Sequence, residues 1–195
     1  MGSEGNGNGN CLPTVVGKSV FALVIYIPDP LGAFLDDLRR ELVPAYKPRA
    51  HVSVLPPRTL EEDWDAASDQ LRLVAEAWAP FDIELTEVGV FPVTDVIYLN
   101  LGAGGDDMRR MHTAMNTQAL AFHEPFDYHP HVTLAQEIPP SNVETLARQA
   151  QRRWEEYKGP RRFRATRAAF VRNTSDNCWI DLAEYCLGSI VLPRR

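Results

Sequence analysis

The chain has 195 residues, of which 45% are hydrophobic and 24% charged, with a formal net charge of −6. This is ordinary globular composition, enough for one domain or two small lobes. The acidic balance excludes a protein that coats nucleic acid non-specifically, and the longest apolar runs, such as residues 20–27, are too short to cross a bilayer.

Residues 1–10 are mostly Gly, Asn and Ser, so residues 1–18 read as a flexible tail and 19–195 as a single bilobal domain. No basic segment followed by an apolar core opens the chain, and Cys178 and Cys186 lie too far apart along one expected strand to pair. A reduced, cytoplasmic, monomeric protein without a membrane segment is expected.

Residues 19–27 form a β-rich run that ends at Pro28-Asp29-Pro30. Leu31, Phe34, Leu35 and Leu38 then recur at helical spacing up to Pro44. A strand is expected over 50–55, stopping at Pro56-Pro57, followed by a capping box at Thr59 and Glu62. Trp64, Ala67, Leu71, Val74 and Trp78 form the apolar stripe of the next helix, and residues 81–90 a strand.

The second half repeats the plan. A strand over 96–101 leads through a Gly-rich turn into a helix over 106–120, with Met108, Met111, His112 and Met115 inward. A strand over 131–135 follows, then a helix opened by a Ser141/Glu144 capping box and running to about 157. Residues 163–171 and 178–187 read as a closing hairpin around residues 174–177. Strand, helix, strand, helix, strand thus occurs twice. The order predicts an α+β fold of two lobes related by a pseudo-twofold axis, each a small antiparallel sheet with packed helices, and a groove between them.

Within the repeat lies a duplicated tetrapeptide: His51-Val52-Ser53-Val54 and His131-Val132-Thr133-Leu134. Side chains alternate along a strand, so each His shares a face with its own hydroxyl while the apolar neighbours point to a core. Two such strands side by side put two imidazoles and two hydroxyls into one cleft. Imidazole titrates near neutrality, so one ring can accept a proton while the other donates one. Ser53 and Thr133 lack the partners of a nucleophilic triad; they suit hydrogen bonds to non-bridging phosphate oxygens. The plainer reading is a pair of packing histidines satisfied by neighbouring hydroxyls.

Tyr128 is a candidate for stacking on a base, and Arg172 for reaching a phosphate; packing and plain surface roles compete with these. Residues 148–172 carry nine basic residues against Glu155 and Glu156, either a solvated face or a basic rim for a phosphorylated ligand. A metal site built on His129, His131 and Asp127 finds no second cluster at ligand spacing. His112 reads as a core histidine. There is no phosphate loop and no dinucleotide fingerprint.

The paired motifs, with the segment Tyr128-His129-Pro130-His131-Val132-Thr133-Leu134-Ala135, resemble the 2H phosphoesterase superfamily, most closely its 2′-5′ RNA ligase and cyclic phosphodiesterase branch. The resemblance runs from about residue 20 to 187. It implies His51 and His131 as an acid–base pair, Ser53 and Thr133 as phosphate holders, and neither metal nor nucleotide cofactor. By the same analogy His131 is the base toward water and His51 the acid. The reaction implied is opening of 2′,3′-cyclic phosphates on RNA ends or small nucleotides to phosphomonoesters, with reversible 2′-5′ joining of RNA ends, as in some relatives, as a further activity. Ser53 stands where Thr is usual, and Gln136 where relatives often carry Arg, which removes one phosphate contact. A non-catalytic module holding RNA ends or a nucleotide in the same groove is the alternative, as is an esterase for a non-nucleic phosphodiester.

Overall fold

A computed structural model describes residues 19–45, 49–60, 64–174 and 178–189. The expected tail, Cys11, Glu62 and the turn at 175–177 lie outside the described residues. Four helices and eight strands appear in the order β1 (Val20–Tyr26), α1 (Leu31–Leu42), β2 (His51–Thr59), α2 (Trp64–Ala77), β3 (Phe81–Val90), β4 (Ile97–Leu101), α3 (Gly105–Met115), β5 (His131–Ala135), α4 (Pro140–Glu156), β6 (Arg162–Ala165), β7 (Arg167–Asn173) and β8 (Trp179–Cys186).

They build an α+β fold with two antiparallel four-stranded sheets, ordered β2-β1-β7-β8 and β5-β4-β3-β6. The two orders correspond over their first three strands. Each sheet begins with a motif strand at its edge, continues with the strand that opens that half of the chain, and takes its third strand from the other half. The lobes are therefore not the two halves of the sequence: β3 crosses into the second sheet, and β7 returns to the first.

The helices follow the same exchange. α2 packs on β7 and β8, and α4 on β3 and β4, while α1 reaches across to β5 and α3 to β2. One hydrophobic core runs through both lobes, with Leu23, Leu35, Leu71, Ile83, Leu99, Met111, Val132 and Phe170 inside it. The opposite face of the first sheet carries a small patch of Ala22, Val24, Ala169 and Val171.

The expected hairpin strand over 163–171 is two strands in different sheets. Phe163 and Ala165 are buried on one phase of the alternation, Ala168 and Phe170 on the other. This one-residue slip at Thr166-Arg167 is where the chain changes lobe. The hairpin itself is present, with Asn173 opposite Trp179.

β2 continues through Pro56-Pro57 to Thr59 rather than stopping there. Phe21 pairs with Arg58 and Leu23 with Leu55, so the two prolines occupy a bulge on an edge strand, where a missing N–H costs no ladder bond. Thr59 is thus a strand residue, and its expected capping partner, Glu62, lies outside the described residues. Ser141 lies inside α4, whose N-cap is Pro139, and Glu144 bonds Arg148, so the capping box expected at Ser141 and Glu144 is unmade. On α2 the buried stripe is Ala67, Leu71 and Ala75, while Trp64 in the first turn is exposed. α3 ends at Met115, and a short 3₁₀ turn at Gln118–Leu120 follows. Gly104, at φ +85°, allows the tight approach before α3: a Cβ there would lie 2.4 Å from the Asp82 carbonyl oxygen.

Candidate active site

β2 and β5 are the edge strands of their sheets and lie against each other, which brings the two tetrapeptides together. Val52, Val54, Val132 and Leu134 are fully buried, while His51, Ser53, His131 and Thr133 face the groove, partly exposed.

Both histidines are anchored in the same way. His51 Nδ1 lies 2.8 Å from the Arg49 carbonyl oxygen and His131 Nδ1 2.7 Å from that of His129. A carbonyl only accepts, so each Nδ1 carries its hydrogen and donates it. Each Nε2 is left as the working nitrogen, with no partner among the described residues. The Ser53 and Thr133 hydroxyls are likewise without protein partners there. Burial holds both rings toward the neutral form: His51 is pushed down to about 4, with Arg39, His131 and Arg49 adding to the effect. His131 is also lowered, chiefly by burial and further by His129.

Aromatic residues that sequence reasoning did not single out brace His131. Phe91 stacks on Tyr98 at 4.0 Å, and both present faces or edges to the imidazole, at 5.0 and 5.5 Å. Gly89 makes room for this pair, because a Cβ there would sit 2.6 Å from Tyr98 Cζ. His129 Nε2 is 3.0 Å from Asn100 Oδ1, and Asn100 Nδ2 donates to Glu87. The amide is thereby oriented, and His129 is the donor to it. Beside His51, the Tyr26 hydroxyl donates to Asp181 at 2.5 Å, and Arg49 lies over the Tyr26 ring while pairing with Asp181.

A cavity of about 470 Å³ opens along this line. Ser53, His131, Thr133, Tyr128 and Gln136 line it; His51, two residues from Ser53 on the same face of β2, is not among its lining residues. Its other walls are mostly apolar, from the β3–β4 loop and the loop before β5.

Tyr128 is placed at the cavity, but one ring face is stacked on His112 at 3.9 Å and its hydroxyl is bonded to Ser53. His112 is the buried core histidine expected, with Nδ1 donating to the Val54 carbonyl. Arg172 is not brought to the site. It pairs with Phe21, one step out of phase with the Val24–Ser53 and Val24–Ala169 pairs, so it points to the opposite face of the first sheet from Ser53.

Five of the nine basic residues of the stretch are paired with carboxylates, and none of the nine is among the described lining residues of the cavity. Arg148, Arg153, Arg162, Arg164 and Arg167 pair with Glu144, Glu41, Glu84, Asp82 and Glu184. Among the described residues no three His, Cys, Asp or Glu side chains cluster as a metal site requires. None of the described helices is long and apolar enough to span a membrane. Cys186 is an exposed free thiol.

Two sheets exchanging strands, with a His-x-Ser/Thr-x strand from each at their junction, define the 2H phosphoesterase class. The model of the 2′-5′ RNA ligase superfamily matches residues 27–177, and the chain belongs to that family. It is similar to a protein of Geobacillus kaustophilus named as a phosphoesterase, 25% identical over 61% of this chain and 70% of that one. A phosphoesterase-named protein of Oceanobacillus iheyensis is 28% identical over 53% of this chain and 65% of its own length. Among solved structures, E. coli LigT complexed with NADP⁺ overlays with a TM-score of 0.59 at 16% identity, covering 88% of this chain and 99% of that one. TT0787 of Thermus thermophilus gives 0.59 at 17% identity, covering 87% and 98%. LigT has also been crystallised with 3′-AMP, at a TM-score of 0.56, 13% identity and the same coverage as the NADP⁺ complex.

Proposed function

We propose that this protein is a metal-independent phosphodiesterase that opens 2′,3′-cyclic phosphates to phosphomonoesters, with His51 and His131 as its acid–base pair. The observation that carries the reading is the matched anchoring of the two rings, each Nδ1–H on the carbonyl two residues before it and each Nε2 unspent. His131 Nε2 takes a proton from water as the water oxygen bonds to phosphorus. The ring P–O bond breaks, and His51 Nε2–H delivers its proton to the departing ribose oxygen. With a ribose 5′-hydroxyl in place of water, the same ring opening forms the P–O5′ bond, breaks the ring P–O3′ bond and gives 2′-5′ joining; in the reverse, cleavage of that bond back to the cyclic phosphate, the two histidines exchange roles.

The Ser53 and Thr133 hydroxyls donate to the non-bridging oxygens, where negative charge must be held. Burial keeps both imidazoles neutral in the free protein, so the acid must gain its proton with the anion bound; a phosphate charge beside His51 favours the imidazolium. Family membership and the similar phosphoesterase-named proteins support the reaction class, and a nucleotide in LigT supports a nucleotide-sized ligand. The reading takes residues 19–195 as one working unit, a monomer, because one core runs through both lobes. The exposed free thiol of Cys186 supports a reducing, cytoplasmic setting.

The test is incubation of EDTA-treated protein with nucleoside 2′,3′-cyclic phosphates, with chromatography to separate 2′- from 3′-monophosphates. One isomer, lost in both His51→Ala and His131→Ala while each variant keeps its fold, is the expected result. Wild-type turnover by either variant overturns the two-histidine mechanism.

A further inference from the structure

Among the described residues no lysine or arginine lines the cavity beside His131, and both charged residues described in its lining, Glu124 and Asp127, are acidic. The Glu124 carboxylate is spent on Arg58 at 2.6 Å. Asp127 is exposed and has no ion pair among the described residues. Gln136, at the cavity edge, is neutral. Five of the nine basic residues that made the sequence look locally basic pair with carboxylates away from the cavity, and Arg49, near His51, pairs with Asp181.

A chain of RNA brings one further negative charge with every nucleotide, and binding it rests on lysine and arginine that displace its counterions. The described lining offers none, and it carries the exposed Asp127 carboxylate instead. What it does offer is apolar and aromatic. Phe91 and Phe122 stand in its walls, and Phe126 and Val93 are 59% and 76% exposed at its mouth. Exposed apolar side chains around a concave site mark a ligand that covers them. The volume of about 470 Å³ lies within the range of small-molecule sites.

Resting on the phosphodiesterase reading, we infer that the substrate is a single nucleotide carrying one cyclic phosphate, its base held against Phe126 and the neighbouring apolar wall, and that polyanionic RNA is disfavoured. A planar base suits the phenyl faces by stacking, and its polar edge suits the Asp127 carboxylate at the rim. The lone phosphate lies at the hydroxyl pair and the two imidazoles, and no second phosphate finds a cation.

The experiment compares cytidine 2′,3′-cyclic phosphate with a six-nucleotide RNA bearing the same cyclic end, each at about 50 and 200 mM salt. The mononucleotide is expected to have a kcat/KM about tenfold or more above that of the hexamer, with little dependence on salt. Phe126→Ala is expected to raise KM for the cytidine substrate and to leave KM for base-free glycerol 1,2-cyclic phosphate within about twofold. Asp127→Asn is expected to raise the hexamer-to-mononucleotide ratio. A hexamer turned over as well as or better than the mononucleotide, with a rate that falls steeply as salt rises, overturns the inference while leaving the phosphodiesterase reading intact. Turnover of neither substrate overturns that reading instead. Equilibrium binding of 3′-CMP against the hexamer with a 3′-phosphate end then decides the inference by itself, tighter hexamer binding sinking it.

Discussion

The Tyr128 hydroxyl donates a 2.7 Å hydrogen bond to the backbone carbonyl of Ser53, tying the loop that enters β5 to the middle of β2. β2 is an edge strand, so alternate carbonyls lack a partner within their own sheet. Tyr128 fills one of those vacancies from the other lobe, while its ring is held flat against His112.

Tyr128→Phe keeps the stacked ring and removes only this bond. It leaves a partly buried carbonyl without its donor, at a cost of about 1–2 kcal/mol, or roughly 2–8 °C in Tm for a chain of this length. Because the bond spans the two motif strands, kcat should fall about tenfold as the His51–His131 geometry loosens. Thermal melts and steady-state kinetics on the same preparation check both. An unchanged kcat would mean that β2 and β5 hold their spacing through packing alone.

Arg58 anchors the same loop from beneath. Its side chain is 1% exposed and gives hydrogen bonds to the Pro56 and Leu120 carbonyls, to Asn116 and to Glu124. Arg58→Met strands the Glu124 carboxylate in a largely dry site, and about 3–5 kcal/mol of stability should be lost. Adding Glu124→Leu removes the orphaned charge, so the double variant should recover part of that loss. A double-mutant cycle in urea measures the coupling. Additive losses would show that the two side chains do not depend on each other.

The parts of this molecule legible in the sequence are those written locally. The motif strands declare themselves because their alternation is complete within four residues, and α1 and α3 because Leu31, Leu35 and Leu38, or Met108, Met111 and Met115, repeat at helical spacing. What was hidden depends on partners far along the chain. Arg58 looks like any surface arginine until Glu124, 66 positions away, arrives beside it. The basic stretch looks unopposed because Glu41, Asp82 and Glu84 each lie more than 70 positions before the arginine they pair with. The β6–β7 switch had a local signal, two adjacent polar residues, Thr166 and Arg167, between the buried phases of 163–165 and 168–170, which reading 163–171 as one strand passed over. Arg172 fails as a phosphate ligand for the same reason of phase: one position earlier or later would have faced the groove.

Stability against acid should carry the signature of His51. Its folded-state value of about 4 lies below the 6.5 expected when unfolded. The unfolded chain therefore binds more protons between those values, and stability falls as pH drops from 6.5 toward 4. The full shift corresponds to about 3 kcal/mol, present above 6.5 and lost below 4. In His51→Asn this component is absent, so the curve of unfolding free energy against pH should be flatter across that window. Parallel slopes for the two proteins would mean that the imidazole is already solvated in the fold.

Activity should follow a related but distinct pH law. Opening a cyclic phosphate by two histidines needs one neutral ring and one protonated ring, so the singly protonated pair is the competent form of the free enzyme. Both rings are held below the ordinary histidine value by burial, and each disfavours the charge of the other. The pair therefore titrates through two macroscopic steps that both lie on the acid side of 6.5. The kcat/KM profile, which reports the free enzyme, should be a bell with its maximum below 6.5 and a descending limb through neutrality. Once substrate is bound, its phosphate charge stabilises the imidazolium, and the kcat profile, which reports the complex, should move to higher pH. Rates measured from pH 4 to 9 at subsaturating and saturating cytidine 2′,3′-cyclic phosphate separate the two curves. Coincident profiles would mean that the bound phosphate does not reach the protonated ring. A flat profile would mean that no histidine transfers a proton in the rate-limiting step.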